Sequence, residues 1–92
     1  MLLWPNQGRE AELVAYEDQV HRLIPDHGAR VLQRARTQGA DRSPDQPFQI
    51  HLIEFPSQAA LDAYLADDGR TALAEPRDRA IARTDPLPVD IV

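Results

Sequence analysis

"FQIHLIEFPS", residues 48–57, is the stretch on which the reading of this chain turns. Phe48 to Phe55 alternate as a strand does, with Gln49, His51, Ile53 and Phe55 on one face and Phe48, Ile50, Leu52 and Glu54 on the other. Ser57 is a favoured N-cap for the following "QAALDAYLA", in which Ala60, Leu61, Tyr64 and Leu65 form one apolar face. A strand that runs straight into a capped helix is therefore expected. Gln49, His51 and Glu54 stand out because a core strand should be apolar there.

Working back toward the N-terminus, residues Ala29 to Arg36 read as the partner strand, joined by a polar loop, Thr37 to Pro47, punctuated by Gly39, Pro44 and Pro47. Before it, Asn6 is expected to cap a helix with apolar positions Leu13, Tyr16, Val20 and Leu23 or Ile24, and with Glu10 and Glu12 where negative charge suits the helix dipole. Pro25 should end this helix and "PDHG" make the turn. "MLLW", stopped by Pro5, reads as a short first strand trimmed at its start. Working forward, Gly69 should break the second helix, "RTALAEPRDRAIAR" should add one or two helical turns restarting at Pro76, and "PLPVDIV" alternates as a closing edge strand.

This order is strand, helix, strand, strand, helix, strand: an α+β, ferredoxin-like βαββαβ domain spanning residues 1–92. Right-handed crossovers give an antiparallel sheet of order 4-1-3-2 with both helices on one face. The other face is left bare, so two copies are expected to pack sheet on sheet. A chain of 92 residues buries only roughly 60 to 65% of its unfolded surface, and without cysteine it has no disulfide staple, which also favours a homodimer.

Composition excludes several function classes. All ten basic residues are arginine, a pattern of high-GC codon usage, and the absence of lysine removes Schiff-base chemistry. A net charge of −5 argues against nucleic acid as a partner. No apolar run is long enough for a membrane helix, and "MLLW" is too short for a signal peptide, so a soluble, cytoplasmic protein is expected. Nucleotide-binding, serine-hydrolase and zinc-hydrolase motifs are absent. His21 and His27, six residues apart, match no metal-binding spacing, and neither a metal nor a cofactor is expected.

"IEFPS", "LIPDHGARVLQR" and the closing "RTDPLPVDIV", in this element order, resemble the dimeric α/β-barrel superfamily, in particular its branch of small uncharacterised domains. The resemblance implies a homodimer closed by sheet packing, with a pocket between sheet and helices, and a distant likeness to antibiotic-biosynthesis monooxygenases and polyketide cyclases. Activities on this superfold differ too widely to transfer a reaction.

The candidate site follows from strand parity. Pairing Arg36 with Phe48 would set His51 opposite Gln33 and Glu54 opposite Arg30, with Arg34 on the face of Glu54. Gln33, Gln49 and His51 then form a polar cluster in which His51, the group that titrates near neutrality, is the candidate acid/base. The plainer reading is a buried neutral histidine satisfied by a glutamine or a carbonyl. Glu54 would look into the dimer barrel and pair with Arg30 or Arg34. Trp4 and Tyr64 are candidate pocket walls or core residues, and Arg70, Arg77 and Arg79 are candidate anion-binding groups at its mouth or solvated charges. Two functions stay open. One is a homodimeric protein that binds a small apolar or aromatic molecule, extending to a cofactor-independent monooxygenase-, cyclase- or isomerase-like enzyme of specialised metabolism. The other is a non-catalytic dimerisation module.

Overall fold

The alternating residues Gln49–Glu54 form a strand that pairs on both sides, in the interior of a four-stranded sheet. The computed structural model describes residues 1–39 and 42–92. In chain order these form β1 (Leu2–Pro5), α1 (Glu10–Val20), a 3-10 helix (His21–His27), β2 (Arg30–Arg36), β3 (Gln49–Glu54), α2 (Gln58–Leu65), α3 (Asp68–Thr71), α4 (Ala74–Ala80) and β4 (Ile81–Asp85). All neighbouring strands are antiparallel. Their order is β2-β3-β1-β4 counted from the β2 edge, and 4-1-3-2 counted from the other.

Helical spacing turns Leu13, Tyr16 and Val20 of α1 onto the sheet, where they meet Leu3 of β1, Ile81 of β4, Tyr64 of α2 and Ala80 of α4 in one buried cluster. Burying an aliphatic side chain of this kind contributes about 1.5–3 kcal/mol. The Cα extents of 37 × 35 × 16 Å describe a two-layer slab, helices over one sheet face. On the opposite face Ile50 is 42% exposed, and among the described residues no helix covers it. Trp4 belongs to that face yet is only 9% exposed, because Arg83 stacks over its ring at 4.4 Å and its Nε1 donates to the Asp45 carbonyl at 3.3 Å. No helix among the described residues is long and apolar enough to cross a membrane.

Ser57 caps α2 as expected, its hydroxyl accepting from Ala60 N–H at 3.1 Å, and Pro76 falls in the first turn of α4. Several expectations are corrected. The closing strand is Ile81–Asp85 and not "PLPVDIV". Residues 86–92 form no strand; Pro86 and Pro88 lack a ladder donor, and Leu87, Val89 and Ile91 stay exposed. Asn6 does not cap α1. Arg9 occupies that position without a side-chain bond, while the Asn6 amide donates to the Asp78 and Arg79 carbonyls at 2.9 Å each, closing the C-terminal end of α4.

The first helix does not run to Pro25: α1 stops at Val20, and a 3-10 segment carries the chain through the proline to Gly28, whose φ of 68° provides the left-handed cap. Gly69 breaks nothing either, since α2 ends at Leu65 and Gly69 sits inside α3. A Cβ there would lie 2.9 Å from Leu23 Cδ1, so a larger residue would make the Leu23 side chain shift where α3 approaches the 3-10 segment. Phe48 precedes β3 and packs against the core cluster instead of sharing a face with Ile50. Within the loop expected over 37–47, residues 40 and 41 lie outside the described ones.

The hairpin register also differs. Arg36 pairs with Gln49, and Arg30 pairs with Glu54 as expected, but a bulge between Val31 and Gln33 absorbs one residue. Consequently His51 faces Arg34, and Gln33 faces Leu52 on the bare side of the sheet.

Candidate functional site

Two features have the geometry of sites. The first is a buried polar cluster between the sheet and α1. β3 alternation turns Gln49 and His51 toward the helices, where they are 4% and 1% exposed. Glu17 lies on the buried stripe of α1, four residues after Leu13 and three before Val20, and is 4% exposed. His21 follows one turn later. Its Nε2 lies 3.2 Å from Glu17 Oε2, and His51 Nδ1 lies 3.7 Å from the same oxygen. The two imidazoles meet edge to face with centroids 4.7 Å apart. One ligating atom from each of Glu17, His21 and His51 falls within 4.8 Å of the others.

The other ring nitrogen fixes the tautomer of His51. His51 Nε2 is 2.8 Å from Gln49 Oε1, and that same oxygen accepts from Arg34 Nη2 at 3.5 Å. Because a guanidinium only donates, its contact favours the amide oxygen in this position, and with that oxygen facing the ring His51 Nε2 carries the hydrogen. Nδ1 is left with a lone pair, buried and, among the described residues, without a hydrogen-bond partner. Burial, then the neighbouring His21, push the pKa of His51 down to about 3, so the ring is neutral at ordinary pH. Arg34 is balanced by Asp18, whose Oδ1 it meets at 2.9 Å.

The second feature is an apolar cleft of about 440 Å³ that wraps the C-terminal end of β3. Leu2, Ile50 and Leu52 form one side, Phe55 and Leu61 the other, and Leu87 adjoins them. Ser57 and Gln58 supply its side-chain polarity. The ladder between β1 and β3 ends at a reciprocal pair in which the Met1 amine donates to the His51 carbonyl at 2.7 Å and His51 N–H donates to the Met1 carbonyl at 2.9 Å. His51 borders this cleft through its backbone alone, because its side chain has no exposed surface.

The predicted site residues are therefore dispersed. Gln49 and His51 come together, whereas Gln33 is exposed on the bare face and Trp4 is covered there, neither lining the cleft. Tyr64 is a core residue, 1% exposed, tilted against Phe55 at 5.6 Å with Arg70 over its ring at 4.6 Å. Burial pushes its hydroxyl up to about 12, against the lowering pull of Arg70. Arg77 contacts Asp78 at 3.8 Å and Arg79 meets Glu75 at 3.0 Å, so these two arginines serve α4 itself. Glu54 pairs with Arg30 at 3.0 Å in the exposed ladder, and Arg34 is on the helix face instead. Sequence reasoning missed Glu17 and His21, although the i, i+4 spacing of a carboxylate and an imidazole on the buried stripe of α1 was readable.

Comparison with models of known protein families and with curated proteins finds no match to this chain.

Proposed function

We propose that the protein is a homodimer that binds a small apolar or aromatic molecule in the cleft at the end of β3. The observation that carries this reading is the cleft itself: about 440 Å³ of mostly apolar space, of the size a small ligand occupies, with Ser57 and Gln58 placed to orient a guest. Its Leu2, Ile50 and Leu52 side belongs to the uncovered sheet face. A second copy packed on that face would roof the cleft and remove the apolar patch from water. The element order and the "IEFPS" junction support membership of the dimeric α/β-barrel superfamily. Binding is favoured over proton transfer because the imidazole of His51 does not reach the cleft.

The test uses the intact chain and a fluorinated aromatic fragment set read by ligand-observed NMR, with sedimentation in parallel. Wild type should sediment as a dimer and bind several fragments. Ile50→Asp should shift the protein to monomer, and Leu61→Trp should fill the cleft and abolish fragment binding while the dimer persists. A stable monomer at micromolar concentration rejects the assembly. A dimer that binds no fragment, or binds equally well with Leu61→Trp, leaves the interaction-module reading in its place.

A further inference from the structure

The buried cluster beneath the sheet has a chemistry that neither core packing nor the cleft uses. A buried carboxylate is costly unless a cation or several donors compensate it. Among the described residues the ion-pair neighbours of Glu17 are two imidazoles, His21 and His51, and no arginine. One of these imidazoles is held neutral with its lone pair turned inward. A neutral imidazole nitrogen that is buried, unpartnered and aimed at a carboxylate oxygen lacks an electron-pair acceptor. A proton or a metal ion would supply one.

Geometry favours the metal. In a tetrahedral site with bonds of about 2.0–2.2 Å, ligand atoms lie roughly 3.2–3.6 Å apart. The separations from Glu17 Oε2 to His21 Nε2 and to His51 Nδ1 are 3.2 and 3.7 Å. The remaining imidazole pair, within 4.8 Å, needs to close by on the order of 1 Å. His21 has room for that rotation because its side chain keeps 11% exposure at the end of α1, whereas His51 is locked. The bond from His51 Nε2 to Gln49 Oε1 is the outer contact that metal-binding histidines require: it fixes the tautomer and raises the basicity of the other nitrogen. Gln49 is itself held by Arg34, whose charge is answered by Asp18.

We propose that Glu17 Oε2, His21 Nε2 and His51 Nδ1 form a three-ligand site for a borderline divalent metal of the zinc type. Two imidazoles and one carboxylate, with no thiolate, suit Zn²⁺ and Co²⁺ and suit Ca²⁺ and Mg²⁺ poorly. Three protein ligands leave a coordination position for water or a substrate oxygen. The site is independent of the cleft and does not rest on the dimer, since all three ligands come from one chain.

The experiment is titration of the chelator-stripped, full-length protein with Zn²⁺ against a chromophoric competitor, and with Co²⁺ read by its visible absorption. The expected result is one metal per chain, a tetrahedral Co²⁺ spectrum and a raised melting temperature. Histidine ¹⁵N NMR should show His51 metallated at Nδ1 with the proton retained on Nε2. Glu17→Gln and His21→Gln, the latter at a partly open position where folding is readily verified by circular dichroism, should each weaken binding by about tenfold or more. His27→Gln, remote from the cluster, should bind as wild type does. Failure to take up either metal overturns the proposal. Uptake that survives both cluster substitutions overturns it as well, since the metal would then sit elsewhere.

Discussion

Among the described residues there are two histidine–carboxylate assemblies, and they are built on opposite principles. His27 and Asp67 meet at 2.7 Å in a partly exposed corner, and the second Asp67 oxygen accepts from Gly69 N–H at 2.7 Å and caps α3. The His27 bond, then that N–H, hold the Asp67 carboxyl below its usual range. The Glu17, His21 and His51 cluster is deeper, its separations are longer, and it retains a buried nitrogen with no partner. A pair whose facing nitrogen and both carboxylate oxygens are engaged is a clasp between the 3-10 segment and α3. The buried cluster instead leaves one imidazole nitrogen open among the described residues.

The sharpest way to break this contrast is truncation of the buried ring. His51→Ala should cost about 2–4 kcal/mol in urea denaturation, through the cavity it opens and the Gln49 amide it leaves unpaired. A loss below about 0.5 kcal/mol would mean that the cluster is loosely packed and no different from the surface pair.

The next effect is on acid sensitivity. With its native pKa near 3 and an ordinary unfolded value of 6.5, His51 binds more protons unfolded than folded between those limits. Its contribution to stability is thus complete above 6.5 and is lost as pH falls toward 3. Across the middle of that window the slope from this group is about 1.4 kcal/mol per pH unit. Stability measured from pH 7 to 4 should show this slope in wild type and in His27→Ala, and a shallower one in His51→Ala. Equal slopes in all three proteins would remove His51 as the cause.

The smallest effect belongs to the clasp. Asp67→Ala should lower the melting temperature less than His51→Ala does, with the damage local: faster amide exchange at Gly69 and through α3, and unchanged exchange in β3. Loss of protection across the sheet would show that the corner supports the whole fold.

What could be read from the sequence was what depends on neighbours along the chain. The strand over Gln49–Glu54 and the Ser57 cap were legible because alternation and capping are settled within a few residues. β4 was not, since α4 passes into it at Ala80–Ile81 with no glycine or proline to mark the change, while the alternation of "PLPVDIV" imitates a strand that its prolines prevent. Asn6 was assigned to the nearest helix although its amide is used by α4, more than seventy residues away in sequence. The site was half legible: parity brought Gln49 and His51 together on one face, but the contributions of α1 depend on how that helix lies across the sheet. Gln33 was misplaced by the one-residue bulge in β2.

That bulge also fixes what stands across the ladder from the third-strand imidazole. With an even count, an uncharged amide would flank the ring; with the extra residue, the Arg34 guanidinium does, and it turns the Gln49 oxygen inward. The protonation pattern of the ring is thus set by the strand register that brings Arg34 and Gln49 together beside it. Deleting Leu32 would remove the bulge and still leave Arg34 opposite His51, because Val31 and Gln33 already face the consecutive Ile53 and Leu52.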